Sequence, residues 1–239
     1  VGVLEAIGAV VLAVGAVTAM VLVLRVPGVP AAGAVLTSAP LPAAACWWRA
    51  RQYGQPITAA DRVTLVRFVS SGVLAGAVVL VFTGVLPDRT PLVAAIALMA
   101  LLSDAVDGWL ARRTGTASAV GARLDMEADA VLYAVLCLHT APIIGWWVIL
   151  LGAMRYLFGL ASWLRPRLRQ DLPPSRIRRP IAALEGIALL VAIVPGVPVW
   201  LATAGTAAAL SLVLFSFGKD IVALERSGDS SRPPGRKRG

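Results

Sequence analysis

Histidine and cysteine are almost missing from this chain: one His and two Cys in 239 residues. Cys46 and Cys137 stand far apart on apolar stretches, with no CxxC spacing and no His/Cys cluster near either, which argues against a disulfide framework and against a zinc site. The lone His139 is expected to be a packed or interfacial residue. Charge is scarce too, at 15% of residues, while 58% are hydrophobic, and the mean hydropathy is +0.80. That balance argues against a soluble domain and points to a polytopic membrane protein. Acid is scarcest, with 13 Asp and Glu against 22 Lys and Arg, a net charge of +9. In a soluble protein this excess would suggest nucleic acid. Here the basic residues fall between apolar segments, where they set orientation and meet anionic lipid headgroups, so no nucleic-acid partner is expected.

Long apolar runs are what the chain has in abundance. Run 3–24 is long enough to cross a bilayer core of ~30 Å at about 1.5 Å per residue. Its length, and the lack of a basic segment before it, favour a span over a signal peptide. Run 31–48 is interrupted by Pro40 and Pro42 and reads as a broken span, a re-entrant piece or an interfacial segment. Trp47, Trp48, Arg49, Arg51 and Tyr53 then form an aromatic and basic cluster of the kind found at a cytoplasmic membrane surface. Further helices are expected at 63–85, 91–112, 120–140, 143–164, 180–194 and 199–217, the last two parted by a tight turn at Pro195-Gly196-Val197-Pro198.

The predicted fold class is therefore an all-α integral membrane protein. Its six-helix transmembrane bundle, within 51–224, follows an apolar N-terminal extension (1–50) of one or two further membrane segments, and a disordered basic tail (225–239) closes the chain. In this threading Arg112, Arg113, the arginines at 165, 167, 169, 176, 178 and 179, and Lys219 share one side, whereas only Arg89 lies in the core loops of the other. The positive-inside rule makes the basic side cytoplasmic, in a multi-pass protein of the cell (plasma) membrane.

Five of the thirteen acids crowd into 103–130: Asp104, Asp107, Asp125, Glu127 and Asp129. An aspartate at the centre of a membrane helix costs about 2.5–3.5 kcal/mol on insertion scales, so several together need a partner or a function. Asp104 and Asp107 are three apart and Asp125 and Asp129 four apart, so on helices each pair shares a face, and two facing helices would aim four carboxylates at one point. Hard cations such as Mg²⁺ or Mn²⁺ prefer such oxygen ligands. The alternative is ordinary ion pairing with Arg112, Arg113 and Arg123. Glu127, two positions from Asp125 and from Asp129, falls on another face and is left out of the site.

The same stretch resembles the signature of the CDP-alcohol phosphotransferases, or CDP-alcohol phosphatidyltransferases, membrane enzymes of phospholipid synthesis whose pattern is DxxDGxxAR, a short gap, then GxxxDxxxD. Asp104, Asp107, Gly108, Ala111 and Arg112, then Gly121, Asp125 and Asp129, fill all eight positions. The resemblance implies that 51–224 is a CDP-alcohol phosphotransferase domain. In it Asp104, Asp107 and Asp125 would be the main ligands of two Mg²⁺ or Mn²⁺ ions, with Asp129 completing the cluster and, by the resemblance, serving as general base. Nearby cations favour its charged form and burial beside carboxylates opposes it, so the residues alone leave base or pure ligand open. The resemblance also implies a nucleotide site where Gly108 and Ala111 clear space for the cytidine, Arg112 reaches a phosphate or an aspartate, and Gly121 admits the second helix. Small residues also suit close helix packing, and the two readings are compatible. A shorter family pattern, NxxTxxR, is matched by Thr64 and Arg67 with Asp61 in place of Asn, implying a nucleotide or phosphate contact from Thr64 and Arg67.

The implied reaction moves the phosphatidyl group of a CDP-alcohol, usually CDP-diacylglycerol, to the hydroxyl of an acceptor alcohol and releases CMP. Arg155, inside the apolar segment LGAMRYLFGL, is a functional candidate because a membrane-embedded arginine needs a partner. With Arg176, Arg178 and Arg179 it would form a pocket for a phosphorylated acceptor, for which the planar guanidinium is suited; the alternative is that the connector arginines only enforce topology. The glycine-lysine-threonine pattern common in phosphatidylglycerophosphate synthases is missing here, which argues against that subtype. A homodimer follows only from family habit. Rival readings are a metal-dependent membrane prenyltransferase, whose two acidic motifs lie several helices apart rather than on consecutive ones, and a non-catalytic scaffold or transporter that keeps the motif.

Overall fold

Proline and glycine punctuate the chain, and in the computed structural model they coincide with helix ends. The structure describes residues 2–51, 58–114, 119–164 and 178–230. Among these, the N-terminal helices are α1 (Gly2–Val23), α2 (Gly28–Ser38) and α3 (Pro40–Ala50). They are followed by α4 (Ala59–Phe82), α5 (Pro91–Thr114), α6 (Ala119–Ile144), α7 (Ile149–Leu164), α8 (Arg178–Ile193) and α9 (Val199–Ser230), with a 3₁₀ turn at Trp146–Val148. The chain is an all-α, multi-pass membrane protein. Among the described residues four stretches are long and apolar enough to cross a membrane, Gly28–Trp48, Asp61–Phe82, Val120–Ile144 and Val199–Lys219, and shorter apolar helices lie at Ile7–Val23, Pro91–Asp104 and Pro180–Ile193. In α5 the apolar stretch stops at Asp104 because the acidic signature begins there.

Helix α4 is the axis of the bundle. Its start is held by a capping box: the Thr58 hydroxyl accepts from the Asp61 amide at 3.1 Å, and the Asp61 carboxylate accepts from the Thr58 amide at 2.9 Å. Asp61, the departure from the shorter family pattern, thus has a local task that a carboxylate performs well. Helices α5 and α6 each pack along α4 and touch each other little. Val17, Ala34, Leu74, Val93, Leu132, Leu136, Leu189 and Ile193 share one buried apolar cluster, so α1 and α2 are part of the same core as α4, α5, α6 and α8. Large side chains such as Leu98, Met99, Leu102, Trp200 and Phe215 point outward, as a bundle in hydrocarbon allows.

The extension meets α4 at small residues. A Cβ at Gly72 would overlap the Ser38 carbonyl oxygen, and one at Gly76 would come within 2.9 Å of the Ala34 carbonyl oxygen. Gly72→Ala is therefore expected to destabilise the protein by about 1–3 kcal/mol through forced separation of α2 from α4. Thermal unfolding in detergent measures this; an unchanged midpoint would mean that the two helices can part freely.

The structure moves several sequence boundaries: α4 runs over Ala59–Phe82 where 63–85 was expected, and α7 starts at Ile149 where 143 was expected. The helix expected to end at 140 runs through Pro142 to Ile144, and the break falls at Gly145, whose φ of 106° a side chain would resist. Helix α9 reaches Ser230, some way into the segment expected to be disordered from 225, because Ala223, Leu224, Glu225 and Arg226 are good helix formers. Residues 231–239 lie outside the described part. At the end of the bundle away from the signature, Arg89 donates to the Val197 carbonyl and His139, fully buried, donates from Nε2 to the Asp88 carbonyl at 2.9 Å, tying loops and α6 together. His139 is thus a packed residue.

Candidate metal centre

Three helices build the site. Asp104 comes from α5, Asp125 and Asp129 from successive turns of α6, and Arg67 from α4, which runs between them. One carboxylate oxygen from each of Asp104, Asp125 and Asp129 lies within 4.8 Å of the other two. Three hard oxygen donors at that separation fit a divalent cation. The side chains are 53%, 37% and 35% exposed respectively, so the cup they form is open on one side.

The other side is closed by Arg67, whose side chain has no exposed surface. Its Nη1 donates to Asp125 Oδ1 and to Asp129 Oδ1, both at 2.7 Å, and its Nη2 to Asp104 Oδ1 at 3.3 Å. Its Nε donates to the Ser103 hydroxyl at 3.4 Å, and that hydroxyl donates to the Ala100 carbonyl at 2.6 Å. A buried guanidinium of this kind needs carboxylate partners, and three like charges drawn this close need a cation among them. Thr64, one turn before Arg67, is buried on α4.

Gly121 sits one turn before Asp125 on α6, and Glu127 is exposed. Asp107, Gly108, Ala111 and Arg112 continue α5 past Asp104, Arg155 lies on α7, and Arg178 and Arg179 open α8. The side-chain placement at these positions, and Arg176 altogether, lies outside the described residues. The structure therefore brings together Asp104, Asp125, Asp129 and Arg67.

A family model described as CDP-alcohol phosphatidyltransferase matches residues 57–216. The chain belongs to that family. No curated protein and no solved structure gives a significant match. The match makes the chain a membrane-embedded CDP-alcohol phosphatidyltransferase, and the three aspartates give this enzyme an acidic cluster able to chelate one divalent ion.

Two features of the phosphatidyltransferase were not read from its sequence. One is the place of Arg67 beneath the carboxylates. The other is Glu185, buried on α8. Its neighbour Gly186 packs against Tyr133, whose hydroxyl donates to the Ala182 carbonyl at 3.0 Å and joins α6 to α8 one turn beyond Asp129. An acid inside IAALEGIALLVAI is the same signal that singled out Arg155, an ionisable group in an apolar run.

Proposed function

We propose that the enzyme transfers the phosphatidyl group of CDP-diacylglycerol, or of a similar CDP-alcohol, to the hydroxyl of an acceptor alcohol and releases CMP. The observation that carries this reading is the convergence of Asp104, Asp125 and Asp129 from two helices onto one point in a family member. The acceptor oxygen forms a bond to the phosphorus that bears the diacylglycerol, the bond from that phosphorus to the oxygen bridging to CMP breaks, and the acceptor's proton passes to the Asp129 carboxylate.

Asp104, Asp107, Asp125 and Asp129 would hold two Mg²⁺ or Mn²⁺ ions. When bound, these ions supply charge neutralisation on the diphosphate and on the departing CMP. Gly108, Ala111, Arg112 and Gly121, with Thr64, would border the nucleotide, and Arg155, Arg176, Arg178 and Arg179 a phosphate on the acceptor. The catalytic domain is 51–224, preceded by the membrane extension 1–50. The site faces the cytoplasm from the plasma membrane, where the basic connectors lie, and the enzyme works as a homodimer.

The test is product formation by purified protein from CDP-diacylglycerol with glycerol 3-phosphate, inositol 1-phosphate, inositol and serine as acceptors. A new phospholipid with one of them, in step with CMP, is the expected result. A product that needs a phosphorylated acceptor would support the arginine pocket. Failure with every acceptor by folded protein would remove CDP-diacylglycerol or these acceptors from the assignment.

A further inference from the structure

We infer that Arg67 is a positioning residue for the cation ligands, acting on Asp104, Asp125 and Asp129 rather than on the donor. The inference rests on the reading of those carboxylates as ligands. Three observations support it together. First, the cluster has two sides: Arg67 is wholly buried, whereas the three aspartates are 35% to 53% exposed, so Arg67 grips them from below and a cation would approach from above. Secondly, bonds from Arg67 reach Oδ1 of each of the three carboxylates, and a carboxylate has two oxygens and about four lone-pair sites, so one such bond is compatible with a cation on the same group.

Thirdly, helices α5 and α6 touch each other little, while both pack on α4. Like charges on two such helices repel. The described groups that draw Asp104 to Asp125 and Asp129 include one rigid planar fork, from the helix between them. Guanidinium geometry suits this, because its donors point in fixed directions and can serve several oxygens at once. The Ser103 hydroxyl, itself anchored to the Ala100 carbonyl, sets the direction of the Nε edge. Groups that orient metal ligands from outside commonly change metal affinity by about 10- to 100-fold when removed.

The measurement is Mn²⁺ binding to the purified full chain in detergent with no CDP-alcohol present, read from the free-Mn²⁺ electron paramagnetic resonance signal. Arg67→Gln is expected to weaken Mn²⁺ binding by about 10- to 100-fold, with Arg67→Lys between it and the unaltered chain. A residue that touches only the donor phosphates would leave this donor-free affinity unchanged. Equal or tighter binding by Arg67→Gln would overturn the inference and make Arg67 a charge balance instead. Should that variant fail to remain folded on size exclusion, Arg67→Lys, which keeps the buried charge and loses the fork, decides: weaker binding supports the role and full affinity overturns it. No Mn²⁺ binding by the unaltered chain would overturn the metal reading itself, a distinct result.

Discussion

Asp125→Asn is expected to lower CMP release by about 10²–10³-fold or more while the protein still inserts and folds. Asparagine keeps the shape but removes the charge and one of the oxygens, so the cup loses a ligand. Folding should survive because the Asp125 side chain is 37% exposed and its partner Arg67 keeps Asp129 at 2.7 Å and Asp104 at 3.3 Å. By the family signature Asp107→Asn should behave in the same way. CMP measured by chromatography, beside a size-exclusion profile, checks both; retention of most activity in either variant would remove its assignment as a ligand.

Asp129→Asn is expected to lose about 10²–10⁴-fold, the range over which a general base contributes. Its response to metal should differ from that of Asp125→Asn. A missing ligand is partly offset by raising Mn²⁺, since occupancy recovers by mass action, whereas a missing base is not. The Asp129 deficit should therefore persist at saturating Mn²⁺ and the Asp125 deficit should shrink. Full recovery of Asp129→Asn in excess Mn²⁺ would make it a ligand alone.

The site was legible where polarity broke an apolar background. Asp104, Asp125 and Asp129 stood out as acids in a membrane chain, and the four-residue spacing of Asp125 and Asp129 put those two on one face, which agrees with their meeting Asp104. What spacing could not reveal is the order of packing. Two facing helices seemed sufficient to gather the carboxylates, yet α4 runs between α5 and α6, and Arg67 meets Asp125 across 58 residues of sequence. Contacts of that range depend on which helix takes the centre of the bundle, and nothing local to Arg67 encodes it. Its match to a phosphate-binding pattern gave a donor contact, with no hint of the carboxylates.

The fold shows the same division. The start of α5 at Pro91 followed local chemistry, whereas α4 begins at Ala59, ahead of the expected 63, because Thr58 and Asp61 cap it. Pro40 and Pro42 announced a break in the second apolar run, and the structure has one at Ala39, between α2 and α3. The close approach of Ser38 and Ala34 to Gly72 and Gly76 was not visible, because it joins segments that the sequence presents as an extension and a core. The end expected at 140 lies further on, because α6 continues through Pro142 to Ile144.

A divalent cation on these aspartates is expected to drive transfer from a CDP-linked lipid. The most direct test is CMP release from CDP-diacylglycerol, in the presence of an accepted alcohol, by one preparation assayed with Mg²⁺ or Mn²⁺, after chelation by EDTA, and after the ion is restored. The expected result is CMP with the ion, none above background after chelation, and recovery on restoration. CMP release that continues undiminished in EDTA would contradict it.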